Sequence, residues 1–285
     1  MGRGAGRIAA CFASLREKGE TALIPFLTAG DPDLETTEEL VIAMADAGAD
    51  IIELGIPFSD PTAEGPTIQR SSARALERGA SLRTILDLVG RLRERIDQPL
   101  VLMGYANPIH AMGAETFAKR ASEVGVDGVI IPDLTPEDGA PYLDPIRAVG
   151  IDVILLAAPT TRVDRLEMLA RQTNGFLYYV SLQGVTGARA ALAEGIEEKV
   201  RLAQSMGEAP VCVGFGIATP LHAEQIAAFA DGVVVGSAIV DTIEAAYEKA
   251  SGGAAGHRAA IDDVGAFIRA LKKPLCSEGL SQGGS

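Results

Sequence analysis

The sequence has little of what disulfide-rich, zinc-binding and membrane proteins require. Its three cysteines, Cys11, Cys212 and Cys276, lie far apart and have no paired spacing, which disfavours a disulfide framework and a zinc site. No apolar run reaches the ~20 residues of a membrane-spanning helix. The N-terminal stretch mixes charged residues with short apolar segments and lacks the sustained apolar core of a secretion signal. We therefore expect a cytoplasmic protein that does not associate with membranes.

Basic residues are scarce relative to acidic ones. The chain carries 25 Lys and Arg against 38 Asp and Glu, a formal net charge of −13. Such a chain is a poor binder of nucleic acid, because the phosphate backbone is neutralised by lysine and arginine. The charge does not argue against a small phosphorylated ligand, since backbone amides at a helix N-terminus bind phosphate without a basic side chain.

A short pattern recurs along the 285 residues: a glycine, then an aspartate, then an apolar run. Gly48, Gly125 and Gly150 each suit the left-handed position that ends a helix. The apolar runs that follow do not alternate with polar residues, which is typical of strands buried on both faces of a parallel sheet. The copies are AGAD (47–50), VGVDG (124–128) and VGID (149–152), with a weaker FADG (229–232).

Counting these runs predicts eight strands with amphipathic segments between them. The predicted strands are 22–28, 51–54, 100–103, 128–131, 153–156, 176–180, 211–214 and 232–235. Eight alternating units, in a chain slightly longer than the ~250 residues of a typical barrel, predict an α/β protein with the (β/α)8 TIM-barrel fold. We expect one barrel domain over 1–285, an extra N-terminal helix over 1–18 and a flexible tail over 274–285. A helix over 34–47 is expected to be capped by Asp31-Pro32.

One acidic residue interrupts a strand that is otherwise apolar. Glu53 follows Ile51 and Ile52 at the C-terminal end of the second predicted strand, and active sites of these barrels lie at that end. Glutamate is rarely buried without a partner, and burial raises its pKa toward the range of a general acid. A purely structural ion pair is the alternative, but the position favours catalysis.

Glycines follow the last three strands. Barrels often bind phosphate there, since small residues let backbone amides approach an anion at the start of a short helix. The alternative is that these glycines only make tight turns. The residues concerned are Gly184, Gly187, Gly214, Gly216 and Gly236, with Ser237.

The absence of other reactive groups narrows the chemistry. A Schiff-base aldolase needs a lysine in the barrel, and none of the six lysines lies in a predicted strand. The histidines are scattered, so we expect no metal site. His110 lies near the rim but is typical of polar surface, and Asp60 and Asp133 could equally be loop caps or turn formers. Carboxylates and tyrosines remain for acid–base work: Glu53, Asp60, Glu64, Asp133, Tyr105 and Tyr178.

The segment ELGIPFSDPTAEGPTIQ (53–69) closely resembles a motif of the tryptophan synthase alpha chain family. The resemblance runs from residue 8 to about residue 270. It continues, in the family's order, through PFLTAGDP (25–32), MGYANPI, IPDLTPED, LLAAPTT (155–161), YYVSLQGVTGAR, VGFGIAT and VGSAIV.

The resemblance implies a lyase that cleaves indole-3-glycerol phosphate into indole and glyceraldehyde 3-phosphate by a reverse-aldol reaction. Glu53 matches the residue that protonates the indole carbon and helps remove the hydroxyl proton. The family's second catalytic carboxylate is the aspartate of ADGP, and Glu64 stands there in AEGP. It would bind the indole N–H and stabilise the positive charge. Leu182 stands where many relatives carry a basic residue.

The resemblance also implies the residues that bind substrate. Positions matching the indole pocket or lying close to substrate are Phe26, Ile68, Met103, Tyr105, Ile130 and Tyr178, with Thr186 in a mobile loop. Positions matching the phosphate site are Gly187, Gly216, Gly236 and Ser237.

The family implies a partner as well. Two alpha chains and two beta chains form a heterotetramer, and indole passes to the beta chain, which holds pyridoxal phosphate; no cofactor is expected in this chain. Segments 56–64 and 182–195 match loops that couple the two sites. Three alternatives stay open. The chain could be a stand-alone lyase that releases indole, or a subunit with weakened catalysis that mainly activates its partner. It could also be another phosphate-binding barrel such as indole-glycerol phosphate synthase, but that enzyme needs rim lysines, which these strands lack.

Overall fold

Eight parallel strands close into a barrel in the order of the sequence. The structure, a computed structural model, describes residues 6–180, 195–214 and 216–276. The strands are β1 (Ala22–Thr28), β2 (Ile52–Gly55), β3 (Leu100–Met103), β4 (Gly128–Ile130), β5 (Asp152–Ala157), β6 (Leu177–Val180), β7 (Val211–Gly214) and β8 (Gly232–Val235). The predicted fold class and all eight strands are confirmed, and no strand end differs from the prediction by more than one residue.

Helices surround the barrel. They are α1 (Arg7–Lys18), α2 (Leu34–Asp46), α3 (Pro66–Glu77), α4 (Leu82–Arg93), α5 (Ala106–Met112), α6 (Ala114–Val124), α7 (Ala140–Ala148), α8 (Val163–Gln172), α9 (Ile196–Met206), α10 (Pro220–Ala227), α11 (Ser237–Lys249) and α12 (Gly253–Lys272), followed by a 3-10 turn (Lys273–Leu275). In the part of the chain that the structure describes, no helix has the length and apolar character needed to cross a bilayer.

The two faces of the strands pack into two separate apolar clusters. Leu23 and Leu27 of β1 belong to the cluster between strands and helices, whereas Ile24 and Phe26 belong to the cluster inside the barrel. Successive side chains of a strand point to opposite faces. Glu53 lies two residues after Ile51, which belongs to the interior cluster, so its side chain points into the barrel.

Helix α1 contributes to the interior cluster from before the first strand. Ile8, Phe12 and Leu15 are buried in that cluster, and the rings of Phe12 and Phe176 meet edge to face with centroids 6.1 Å apart. Phe176 immediately precedes β6, so α1 packs at the N-terminal end of the barrel. The opposite, C-terminal end is therefore the end available to a ligand.

The repeated aspartates have a structural role that the sequence pattern did not reveal. Asp50 Oδ2 accepts the Leu23 N–H of β1 at 2.7 Å, and Asp127 Oδ2 accepts the Leu100 N–H of β3 at 2.9 Å. Asp231 Oδ2 does the same for the Val211 N–H of β7 at 2.8 Å. Each aspartate precedes one strand and binds the backbone of the neighbouring strand. Gly48, Gly125 and Gly150, with φ values of 103°, 89° and 90°, end their helices as predicted.

The predicted cap of α2 lies two residues too early. Asp33 is the N-cap, and its Oδ1 accepts the Thr36 N–H at 2.7 Å. Asp31 is instead 4% exposed and accepts two hydrogen bonds from Arg74, at 2.9 and 2.7 Å. Sequence alone could not distinguish the two aspartates, because the arginine that binds Asp31 lies 43 residues further along the chain.

Candidate active site

A cavity opens at the C-terminal end of the barrel and contains most of the predicted site residues. Those that line it are Phe26, Glu53, Glu64, Ile68, Met103, Tyr178, Gly216, Gly236 and Ser237. Six further residues that sequence reasoning did not select also line it: Gly65, Ile217, Ala218, Val234, Ala238 and Asp241. The cavity therefore combines an apolar wall, three carboxyl groups and the start of α11.

Glu53 is a carboxyl group enclosed by apolar side chains. It is 1% exposed, and within the described residues neither of its carboxylate oxygens has a hydrogen-bond partner. Burial and, secondarily, the charge of Glu64 raise its pKa from 4.5 to about 8. At neutral pH the group is mainly protonated, which is the state that a general acid requires.

The neighbouring strands fix the position of Glu53. In the parallel ladder it pairs with Phe26 on one side and Val101 on the other. Gly55 follows on the same face of β2, and a Cβ there would lie 2.5 Å from Phe26 Cζ. The absence of a side chain at Gly55 thus lets the Phe26 ring pack against β2 beside Glu53.

Glu64 approaches the cavity from the loop between β2 and α3. Its backbone is held at both ends, since its N–H donates to Pro61 O at 3.0 Å and its carbonyl accepts from Gln69 Nε2 at 2.9 Å. Gly65 is the N-cap of α3 and Pro66 its first residue, so the loop ends directly after Glu64. Burial raises the pKa of Glu64 from 4.5 to about 7, which leaves a substantial ionised fraction at neutral pH.

Tyr178 provides a hydroxyl group on the opposite side of the barrel. Burial, followed by the charges of Glu53 and Glu64, raises its pKa well above the ordinary value, so the hydroxyl stays protonated. A Cβ at Gly214 would lie 2.4 Å from this hydroxyl oxygen. Gly214, predicted as part of a phosphate turn, therefore lies in β7 and makes room for Tyr178.

Two predicted substrate residues lie outside this cavity. Tyr105 lines an adjoining cavity that shares Phe26, Glu64 and Ile68 with the first. Its ring stacks on Phe58 with centroids 5.1 Å apart, and its hydroxyl accepts the Ala63 N–H at 3.0 Å. It therefore supports the loop that carries Glu64.

Ile130 belongs to the interior cluster of the barrel. It is fully buried and lines neither the main cavity nor the one beside Tyr105. The structure thus places it among the residues that support the apolar wall, next to Met103 in the register of β3 and β4.

The glycine-rich end of the cavity is built from two segments. Gly216 has a φ of 78°, a conformation that favours glycine. Gly236 is the N-cap of α11, and its carbonyl accepts from the Ile239 and Val240 N–H groups at 2.8 and 3.2 Å. The N–H groups of the first helical residues have no partner within the helix, which suits an anion. Gly184, Thr186 and Gly187 lie outside the described residues.

The remaining candidate polar residues have hydrogen-bond partners outside the cavity. Asp133 accepts the Ala106 N–H at 3.0 Å, Asp60 accepts from the Ser59 hydroxyl at 2.6 Å, and His110 Nδ1 lies 2.9 Å from the Tyr142 hydroxyl. Asp133 thus binds the N–H of the first residue of α5 from 27 residues further along the chain, whereas the contacts of Asp60 and His110 fit a loop residue and a surface residue. Over 6–180, 195–214 and 216–276, no cluster of histidine, cysteine and acidic side chains has the arrangement of a metal site.

Comparison with known proteins agrees with this geometry. The profile of the family described as "Tryptophan synthase alpha chain" matches residues 12–269.

The chain belongs to the tryptophan synthase alpha chain family.

Relatives in the tryptophan synthase alpha chain family are similar over nearly their full length. The alpha chain of Geobacter sp. (strain M21) is 50% identical over 267 residues, which cover 94% of this chain and 97% of that protein. The alpha chain of Burkholderia thailandensis is 51% identical over 262 residues, 90% of this chain and 97% of that protein. The barrel and its rim loops are thus both included in the likeness.

Solved structures from the tryptophan synthase alpha family have the same fold. The subunit alpha of Legionella pneumophila str. Paris superposes with a TM-score of 0.84 at 36% identity, covering 95% of this chain and 99% of that chain. A Mycobacterium tuberculosis tryptophan synthase structure gives 0.84 at 33% identity, covering 96% and 99%. In this chain, the carboxyl group of Glu64, in the segment AEGP (63–66), lines the same cavity as Glu53.

Proposed function

We propose that this chain is a tryptophan synthase alpha subunit, a carbon–carbon lyase that cleaves indole-3-glycerol phosphate into indole and glyceraldehyde 3-phosphate. The observation that carries the proposal is the carboxyl group of Glu53, buried without a hydrogen-bond partner among the described residues and held mainly protonated by a pKa of about 8. It shares one cavity with Glu64. Two carboxyl groups with different pKa values can divide acid and base roles.

Glu53 acts as the general acid and then as the base. It gives its proton to the ring carbon that bears the glycerol phosphate side chain, which leaves a cationic indole. The side-chain hydroxyl next to that carbon then loses its proton to the Glu53 carboxylate. The carbon–carbon bond breaks, its electron pair returns to the ring, and the aldehyde forms. The proton is back on Glu53 at the end, so the step balances.

Glu64 stabilises the cation that this protonation creates. Its carboxylate accepts the indole N–H, whose acidity rises as the ring becomes positive, and the interaction is strengthened because Glu64 is largely buried. Only the ionised form can do this, and burial keeps the pKa of Glu64 at about 7. The longer side chain of glutamate must still place the carboxylate at hydrogen-bond distance from the ring nitrogen.

The cavity walls bind the two ends of the substrate. Phe26, Ile68 and Met103 form an apolar surface that suits an aromatic ring. Tyr178 faces this surface across the cavity, and Tyr105 and Ile130 support it. The phosphate binds backbone N–H groups at Gly216, Gly236 and Ser237, together with Gly187. Thr186, which lies outside the described residues, is assigned to the same site by the resemblance.

The chain acts with a tryptophan synthase beta chain in a cytoplasmic heterotetramer of two alpha and two beta chains. It passes indole to the beta chain, which condenses it with serine. Segments 56–64 and 182–195 couple the two sites by closing over the substrate. Pyridoxal phosphate belongs to the beta chain, and this chain uses no cofactor. Residues 1–285 act as one barrel domain.

An assay of indole release tests the proposal. The isolated chain is given indole-3-glycerol phosphate, and a beta chain is then added with serine. Release by the isolated chain that increases with the beta chain fits the alpha subunit, whereas release unaffected by the beta chain fits a stand-alone lyase. Activation of the beta chain without any cleavage would mean that the change to Glu64 had abolished catalysis.

A further inference from the structure

Helices α3 and α11 are joined by a row of polar contacts beside the cavity. Thr67 Oγ1 donates to Asp241 Oδ1 at 3.0 Å. Arg70 Nη2 contacts Glu244 Oε2 at 3.1 Å, and Arg74 Nη1 contacts Glu244 Oε1 at 2.6 Å. The three α3 residues are three or four positions apart, so they share one face of the helix.

Asp241 belongs to this row of contacts and also lines the cavity. Its side chain lines the same space as Gly236, Ser237 and Ala238. It follows Ser237 by four residues on α11 and therefore lies on the same helix face, one turn from the helix start. An aspartate at this place presents a negative charge to the end of the cavity whose backbone N–H groups suit an anion, and like charges repel.

Thr67 fixes the direction in which this carboxylate points. Its hydroxyl donates to Asp241 Oδ1, and Arg70 Nη2 lies 3.8 Å from the same oxygen. Both groups belong to α3, so they draw the carboxylate toward α3 and away from the first turn of α11. Thr67 is also three residues after Glu64, at the start of the helix that ends the Glu64 loop.

We propose that Asp241 determines how tightly the cavity holds the phosphate end of its ligand, and that Thr67 is a positioning residue that restrains this charge. The inference rests on the proposed function, because it takes the anion at the α11 terminus to be the phosphate of a phosphate monoester. The phosphate is held by backbone N–H groups and opposed by the Asp241 carboxylate, which lies on the helix that begins at the phosphate end. The arrangement limits the affinity for the phosphorylated product and so favours its release.

The test measures binding of inorganic phosphate and of glycerol 3-phosphate to the full chain by calorimetry. Asp241→Asn keeps the hydrogen-bond acceptor and removes the charge, and it should tighten binding by about threefold to tenfold. Thr67→Val keeps the shape and removes the hydroxyl, and it should weaken binding severalfold. The double variant should match Asp241→Asn, because an uncharged side chain needs no restraint. These differences should shrink in high salt, which a packing effect would not do.

Three controls separate charge from structure. Glu248→Gln removes an exposed negative charge two turns further along α11, outside this cavity, and should leave phosphate binding unchanged. Thr67→Ser keeps the hydroxyl and should bind phosphate like the parent. Indole, which is uncharged, should bind all variants equally well.

The outcomes distinguish this inference from the proposed function. If the parent chain binds phosphate and Asp241→Asn binds it no more tightly, the role of Asp241 is wrong while the proposed function stands. If Thr67→Val binds like the parent, the positioning role is wrong. If the parent binds neither anion, the phosphate site itself is wrong, and both proposals fail.

Discussion

Glu53 and Glu64 face the same cavity from two consecutive segments, and the charge of Glu64 contributes to raising the pKa of Glu53 to about 8. Burial alone raises the pKa of Glu64 to about 7. The more deeply buried group thus keeps its proton at a pH at which its neighbour begins to lose one. This order of the two pKa values assigns the acid to Glu53 and the charge-stabilising carboxylate to Glu64.

The two pKa values predict a bell-shaped pH dependence of kcat/KM. Activity should fall below about pH 7, where Glu64 becomes protonated, and above about pH 8, where Glu53 loses its proton. Because the two groups interact, the apparent values belong to the pair. Steady-state rates of indole release from pH 5 to 10 provide the measurement. A flat profile between about pH 6 and 9 would contradict the assignment.

Substitutions at Glu64 should separate charge from size. Glu64→Asp restores the family's residue and should remain active, whereas Glu64→Gln and Glu64→Ala should lose most of the cleavage, since neither carries a charge. Removing an electrostatic contact of this type typically costs ~10²-fold or more in kcat. Single-turnover cleavage rates check this. Parent-like cleavage by Glu64→Gln would show that the charge at this position is not needed.

The barrel could be predicted from the sequence because each of its strands is a continuous run of apolar residues. Each run is buried on both faces, so a polar residue within it is conspicuous, and Glu53 was identified for that reason. The roles of Asp50, Asp127 and Asp231 could not be predicted. Their partners are backbone N–H groups of neighbouring strands 20 or 27 residues earlier, and no local pattern records them.

Burial of Glu53 also predicts how stability depends on pH. Its pKa is raised from 4.5 to about 8 on folding, so the folded chain holds a proton that the unfolded chain releases between these values. The contribution of Glu53 to the free energy of unfolding is fully present below pH 4.5 and is lost as pH rises toward 8. Relative to Glu53→Gln, the parent's free energy of unfolding should fall by roughly 3 kcal/mol between about pH 4 and pH 7.

Urea unfolding of parent and Glu53→Gln across this range gives the difference directly. The comparison cancels the contributions of the titrating groups that do not interact with Glu53. A difference in unfolding free energy that stays constant with pH would mean that Glu53 titrates normally in the folded chain.

A methyl group at Gly236 should weaken phosphate binding without disturbing the fold. Among the described residues, the atom nearest to a Cβ there is Phe26 Cδ1 at 3.5 Å, an ordinary van der Waals contact, but the Cβ would occupy space at the start of α11. Gly236→Ala is a cleaner test than Gly216→Val, since Gly216 has a φ of 78° and any side chain there strains the backbone. We expect KM for the substrate to rise by about tenfold, equivalent to ~1.4 kcal/mol, with a smaller change in kcat.

The matched control is Gly90→Ala in α4, where a Cβ would contact Val124 at 3.7 Å far from the cavity. It should leave KM unchanged. Equal KM values for Gly236→Ala and the parent would remove this turn from the phosphate site.

The site was less predictable than the fold because it joins segments that are distant in sequence. Glu53 and Gly236 could be selected as site residues from the sequence. Glu53 is a charged residue in an apolar strand, and Gly236 is a glycine directly after one. Asp241 and Thr67 are 174 residues apart and come together only because β8 pairs with β1 when the barrel closes. The one available signal was the spacing of Asp241 from Ser237, which places both on one helix face.

Indole release by Glu53→Gln tests the central claim most directly. Glutamine keeps the size of the side chain and removes the proton that the mechanism transfers, so cleavage should fall by at least ~10²-fold, with or without a beta chain. Circular dichroism should show a folded barrel, and Glu39→Gln, an exposed change on α2, should release indole at the parent rate. If a folded Glu53→Gln released indole nearly as fast as the parent, Glu53 would not be the proton donor and the proposed mechanism would be wrong.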